Sequence, residues 1–133
     1  MKYRIKKETK PTLSTFGKYK AVALHPQTID SNTLFAEVAK NSPYDKAIVT
    51  GLMIKLSEIV SEHLQKGHRV RLREWGLMKL EIESDKVDDS KQFRPKKHIR
   101  GVRLHFIPES YKGKQPLYDG ITFERDKSVY KDE

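Results

Sequence analysis

The chain has no cysteine among its 133 residues. That excludes disulfide staples and thiolate metal sites, and it fits a reducing compartment. Nor does any apolar stretch approach the ~20 residues that a membrane-spanning helix needs. The opening MKYRIKKETK is basic but has no apolar segment behind it, so it does not read as a secretory leader. These absences point to a soluble intracellular protein. Acid, too, is scarce in two places. From Met1 to Lys20, Glu8 alone stands against Lys2, Arg4, Lys6, Lys7, Lys10, Lys18 and Lys20. From Lys91 to His105 there is none, against Lys91, Arg94, Lys96, Lys97, Arg100 and Arg103.

What is present in excess is positive charge. The formal net charge is +9 and the pI about 9.7, which favours a polyanionic partner, nucleic acid before an anionic membrane. Hydrophobic residues make up 36% and charged residues 34%, enough for one small core with charged ends. Glu81, Glu83, Asp85, Asp88 and Asp89 form an acidic island between the basic stretches. Such segregation suggests a basic face rather than evenly sprinkled charge.

Along the chain, KYKAVALH (Lys18 to His25) alternates apolar and polar residues as a strand does, and KYRIK does so more weakly. Asp30 or Ser31 can cap a short helix through Lys40, with Leu34, Phe35 and Val38 on one face. Ser42-Pro43 then opens a long helix, Ser42 supplying the cap, Pro43 a donor-free first turn, and Asp45 a charge suited to the helix dipole. Ile48, Val49, Leu52, Met53, Leu56, Ile59, Val60 and Leu64 recur at helical spacing, and Gly67 stops the helix. This stripe needs cover from several elements or from a second copy of the chain.

GHRVRLREWGLMKLEI follows as two strands with a bend or bulge at Gly76. Val70 and Leu72 face inward, and Arg69, Arg71 and Arg73 face outward as a ladder that can bind phosphates. Pairing of those arginines with Glu81 and Glu83 is the alternative. Trp75, beside the bend glycine, is expected to be at least partly buried. After the acidic loop, KQFRPKKHIRG carries only bases and suits a protruding ribbon, with Phe93 or Pro95 as a wedge between base steps. VRLHFI is a strand stopped by Pro108, PESYKGKQPLYDG holds at most one short helix, and ITFER offers a last strand.

Enzyme signals are weak. The histidines at 25, 63, 68, 98 and 105 are scattered, and the His63–His68 spacing is not the i, i+4 pair of a helical metal site. Ser57 and Ser61 have no evident base. No catalytic residue, metal, cofactor or small-molecule substrate is expected.

The order of elements resembles the bacterial histone-like HU/IHF family, and in particular the HU-like proteins of Bacteroidetes, which carry an N-terminal extension with a strand like KYKAVAL. The carriers are EHLQKGHRVRLREWG and IRGVRLHFIPES, with Gly67 at the family's turn glycine, Trp75-Gly76 at its aromatic-glycine bend, and Phe106 at the aromatic of its last strand. Glu74 stands where the family usually has glycine, and acids occupy the outgoing limb of the arm. The resemblance implies an α+β fold: two N-terminal helices on an antiparallel sheet with a basic β-arm, here with an N-terminal strand extension. Residues 1–17 would be the basic extension, 18–123 the HU-like domain and 124–133 a polar tail. It implies a homodimer in the nucleoid that binds double-stranded DNA with weak sequence selectivity and bends or compacts it. The DNA contacts would be Arg69, Arg71, Arg73, Lys91, Arg94, Pro95, Lys96, Lys97, Arg100 and Arg103. Charge alone leaves open an RNA or ribonucleoprotein partner, or an acidic protein.

Overall fold

A computed structural model describes residues 1–127. Of the tail expected over 124–133, residues 128–133 lie outside the described residues. The chain divides into two compact units, residues 1–31 with the segment from Gly120, and Asn32–Asp119.

The first unit is a small sheet of strand order β2-β1-β6, where β1 is Lys2–Lys7, β2 is Tyr19–Ala23 and β6 is Glu124–Arg125. The pair β1–β2 is antiparallel and β1–β6 is parallel. The end of ITFER thus forms the expected strand, but it joins the N-terminal sheet. The amino group of Met1 donates to the Thr122 carbonyl at 2.7 Å, and the N–H of Asp126 donates to the carbonyl of Tyr3 at 2.9 Å.

The second unit begins with helices α1 (Ser31–Lys40) and α2 (Lys46–Gln65). The start of α2 corrects the sequence reading. Asp45, not Ser42, is the N-cap, its Oδ1 accepting from the N–H of Ile48 at 2.9 Å. The Ser42 hydroxyl accepts from the N–H of Tyr44 at 3.3 Å and so shapes the link between the helices. Pro43 therefore sits in that link, where it lacks nothing because no helical bond is required of it. At the other end Gly67 has φ +84°, and the N–H groups of Gly67 and His68 donate to the carbonyls of Leu64 and His63, both at 3.0 Å. That pair of bonds is a Schellman motif, which satisfies two carbonyls the helix leaves unpaired.

A three-stranded antiparallel meander follows: β3 (Val70–Leu72), β4 (Gly76–Ser84) and β5 (Ile99–Pro108). Helix α2 lies against β3 and β4. Gly76 is buried opposite Pro108 with φ +152°, and a Cβ there would strike the carbonyl oxygen of Ile107 and come within 2.9 Å of Pro108 Cα. No side chain fits. The turn between β3 and β4 is Arg73-Glu74-Trp75, closed by the Trp75 N–H on the Leu72 carbonyl at 3.1 Å. Glu74 adopts φ +70°, the left-handed conformation that glycine takes most cheaply.

The core within one chain is very small. Val49 is the only buried large hydrophobic residue among those described, at 5% exposure, whereas Leu52 on the same helix is 60% exposed. The register places Met78, Leu80 and Ile82 on one face of the meander with Val102, Leu104 and Phe106. Ile82, Val102 and Leu104 remain largely open. Trp75, expected to be at least partly buried, is about half covered, with 51% of its surface exposed. The segment 109–119 forms turns and an isolated bridge, Tyr111 to Lys114, rather than a helix, as Gly113 and Pro116 dictate.

Candidate nucleic-acid interface

The opposite face of the meander is charged. Alternation and register put Arg71, Lys79, Glu81, Glu83, Arg103 and His105 together. Glu81 is its hub. Arg103 donates to Glu81 Oε2 from Nη2 at 2.8 Å and from Nε at 3.2 Å, while His105 Nδ1 and Lys79 Nζ lie 3.3 and 3.5 Å from Oε1. The Arg103 hydrogen bonds, with His105 and Lys79 beside them, hold the Glu81 carboxyl below the usual carboxylate range. Three basic groups on this face are thus committed to one carboxylate.

The arginine ladder is shorter than expected. Strand β3 holds only Arg71; Arg69 precedes it and Arg73 lies in the turn. Val70 and Leu72 are half-buried and Arg71 exposed, as the alternation requires. Their acid partners are not Glu81 and Glu83. Arg71 Nη1 is 3.8 Å from the partly buried Glu109 and Arg73 Nε is 3.6 Å from the exposed Glu74, both long contacts from exposed arginines.

The basic segment after β4 departs most from expectation. No protruding β-ribbon forms over Lys91–His98. Asp89 instead caps a 3₁₀ turn, Ser90–Gln92, by accepting from the N–H of Lys91 at 3.0 Å, and Pro95–His98 form the short helix α3. Pro95 opens that helix, where its missing N–H is harmless. The Arg94 guanidinium donates to the carbonyls of Lys91 and Phe93 at 2.9 and 3.1 Å, and its backbone N–H donates to His98 Nδ1 at 2.8 Å. The Phe93 ring lies against His98, with centroids 5.3 Å apart. Arg100, at the start of β5, pairs with Asp85 at 3.0 Å. Local capping and ion pairing thus fold the segment onto itself. Lys91, Lys96 and Lys97 remain exposed on it.

Several charged residues came together that periodicity had not singled out. Lys79 and His105 join the sheet face, a juxtaposition that only the β4–β5 register reveals. Arg71, Arg73, Tyr111 and Lys114 line an open cleft of about 970 Å³, with Glu109 and Asp119 on its wall. A tyrosine followed by two lysines in SYKGKQP was the available signal. His63 and His68 also meet, Nδ1 to Nδ1 at 3.0 Å, because the Schellman turn folds the chain back on the helix end. Two imidazoles do not complete a metal's shell, and among the described residues no group of three or more potential ligands gathers.

No helix among the described residues is long and apolar enough to cross a membrane. No curated protein matches the chain. Residues 1–125 match the HU-HIG family, described as an HU domain fused to a wHTH, Ig or glycine-rich motif. HU domains are the DNA-binding, histone-like modules of the nucleoid rather than enzymes. With that match over nearly all of its length, the chain belongs to the HU-HIG family.

Proposed function

We propose that this protein binds double-stranded DNA as a homodimer in the nucleoid, with weak sequence selectivity and no catalysis, and that it bends or compacts the duplex. The observation that carries this reading is the HU-family match across residues 1–125 in a chain of net charge +9. The strand extension further favours a place among the HU-like proteins of Bacteroidetes.

Two kinds of base serve the interface. Arg69, Lys91, Lys96 and Lys97 are exposed and available to phosphates directly. Arg71, Arg73, Arg100 and Arg103 would exchange a carboxylate partner for a phosphate. Arg94 and Pro95 hold the segment that presents the lysines. Affinity then comes from phosphate neutralisation and counterion release, and selectivity from how easily a sequence deforms. The homodimer reading rests on the open apolar stripe of α2 and the open apolar sheet face, since patches of that kind mark protein contacts.

Gel-shift titration with several duplexes at two salt concentrations tests the binding. Similar affinities that fall steeply with salt are expected, and preference for structured RNA or for an acidic polypeptide overturns the DNA reading. Light scattering tests assembly: a mass twice the 15.5 kDa chain is expected, and the chain mass at tens of micromolar overturns the dimer.

A further inference from the structure

The N-terminal sheet carries a basic face. Its register sets Lys6 directly opposite Lys20. Side chains alternate along a strand, so Lys2, Arg4 and Lys6 share one face of β1, joined across the ladder by Val22 and Lys20. In the parallel pairing Glu124 stands beside Lys2. Within the strands, then, four bases share this face with one acid. The next pair, Glu8 and Lys18, joined by a backbone bond of 2.8 Å, adds one of each sign. The reverse face is of another kind, with Tyr3, Ile5, Ala21 and Ala23, and Lys7 over the Tyr19 ring at 6.0 Å.

Like charges directly opposite on adjacent strands destabilise a sheet. Lys6 and Lys20 are both exposed, so an external anion can approach both at once. Cross-strand pairs hold their Cβ atoms about 5 Å apart, close enough for two ammonium groups to close on one phosphate. A bound polyanion would turn this repulsion into affinity.

We propose that this face of the N-terminal sheet is a second duplex-DNA contact surface, in which Lys6 and Lys20 act as a pair on the phosphate backbone. The proposal rests on the DNA-binding reading above. It adds a surface that lies outside the helices and the meander, and so outside every contact assigned so far.

The test is the full-length variant Lys6→Gln with Lys20→Gln, titrated with duplex DNA over a range of salt concentrations and melted without DNA. The expected result is weaker binding to all duplexes and a log K against log salt slope shallower by roughly 0.9, because the pair neutralises one phosphate. Melting should be unchanged or raised, because the like-charge pair is gone. Lys6→Arg with Lys20→Arg should restore both affinity and slope. A wild-type protein that binds duplex while the glutamine variant keeps its affinity and slope overturns this proposal alone. Weaker binding with lowered melting and an unchanged slope also overturns it, since the lysines would then be structural. A variant that loses structured RNA or polyglutamate while keeping DNA does the same. Failure of the wild type to bind any duplex overturns this proposal and the function together.

Discussion

Glu81 and Arg103 face each other across the β4–β5 register, and the guanidinium places two donors on one carboxylate oxygen, at 2.8 and 3.2 Å. This contact decides how much charge the polar sheet face can offer a ligand. While Glu81 is ionised, Arg103, His105 and Lys79 are turned toward it rather than outward.

Replacement of Glu81 by glutamine should therefore raise affinity for every duplex by a similar factor. The salt dependence should steepen by up to about 0.9 for each base released onto phosphate. The pH dependence has a definite sign. The folded carboxyl titrates below its ordinary value of 4.5, so its contribution to stability is present above that value and is lost as pH falls through the lower, folded one. Acid unfolding of Glu81→Gln should lack this component, which paired melting curves from pH 6 down to about pH 3 would show.

Gly76→Ala should be severely destabilising. The added Cβ meets backbone, the Ile107 carbonyl and Pro108 Cα, neither of which can swing away as a flexible side chain could. The positive φ adds a penalty of its own. Together these predict a loss of about 2–5 kcal/mol, measurable as a lower urea midpoint. A variant as stable as the wild type would mean that Pro108 does not pair with Gly76 at the end of the β4–β5 ladder.

Glu74→Gly should act in the opposite direction. Glu74 is held at φ +70°, at a cost of roughly 1–2 kcal/mol for a residue with a Cβ. Its contact with Arg73 is 3.6 Å on exposed side chains and offsets little of that. Glycine gives back part of the gain through its freer unfolded chain, so a net stabilisation of about 0.5–1 kcal/mol is expected. A raised urea midpoint with an unchanged m-value would confirm it.

These residues also show what could be read before the fold was known. Gly67 was legible because a left-handed glycine after an apolar helical repeat has few other uses, and its φ of +84° agrees. The strands around Val70, Leu80 and Leu104 were legible from alternation. Competition between neighbours was not. Ser42 and Asp45 are both good caps three residues apart, and only the folded chain shows that Asp45 meets the free N–H of Ile48. Asp85 and Asp89 looked like an intrusion into a basic arm; they turn out to cap and pair that segment locally, which removes the reason for a ribbon. Glu81 and Arg103 are 22 residues apart, and their contact depends on a register that no local pattern specifies. Trp75, expected beside the bend glycine to be at least partly buried, is about half covered.

The arginines of the β3 turn allow the sharpest distinction between a ligand surface and structural ion pairing. Arg71 and Arg73 have acid neighbours, Glu109 and Glu74, but at 3.8 and 3.6 Å, and Arg73 is 94% exposed. Pairs this long, with the guanidinium in solvent, contribute about 0–1 kcal/mol. The double replacement of Arg71 and Arg73 by glutamine should thus leave melting nearly unchanged. If both arginines contact phosphates, it should weaken binding to all duplexes about equally, because backbone contacts position the protein without reading sequence. The salt slope should become shallower by roughly 1.8. Structural pairing predicts the reverse, a lowered melting temperature with an unchanged slope. The long distances and the exposure favour the first outcome, since a carboxylate held so loosely is readily exchanged for a phosphate that accepts the guanidinium in a bidentate fork.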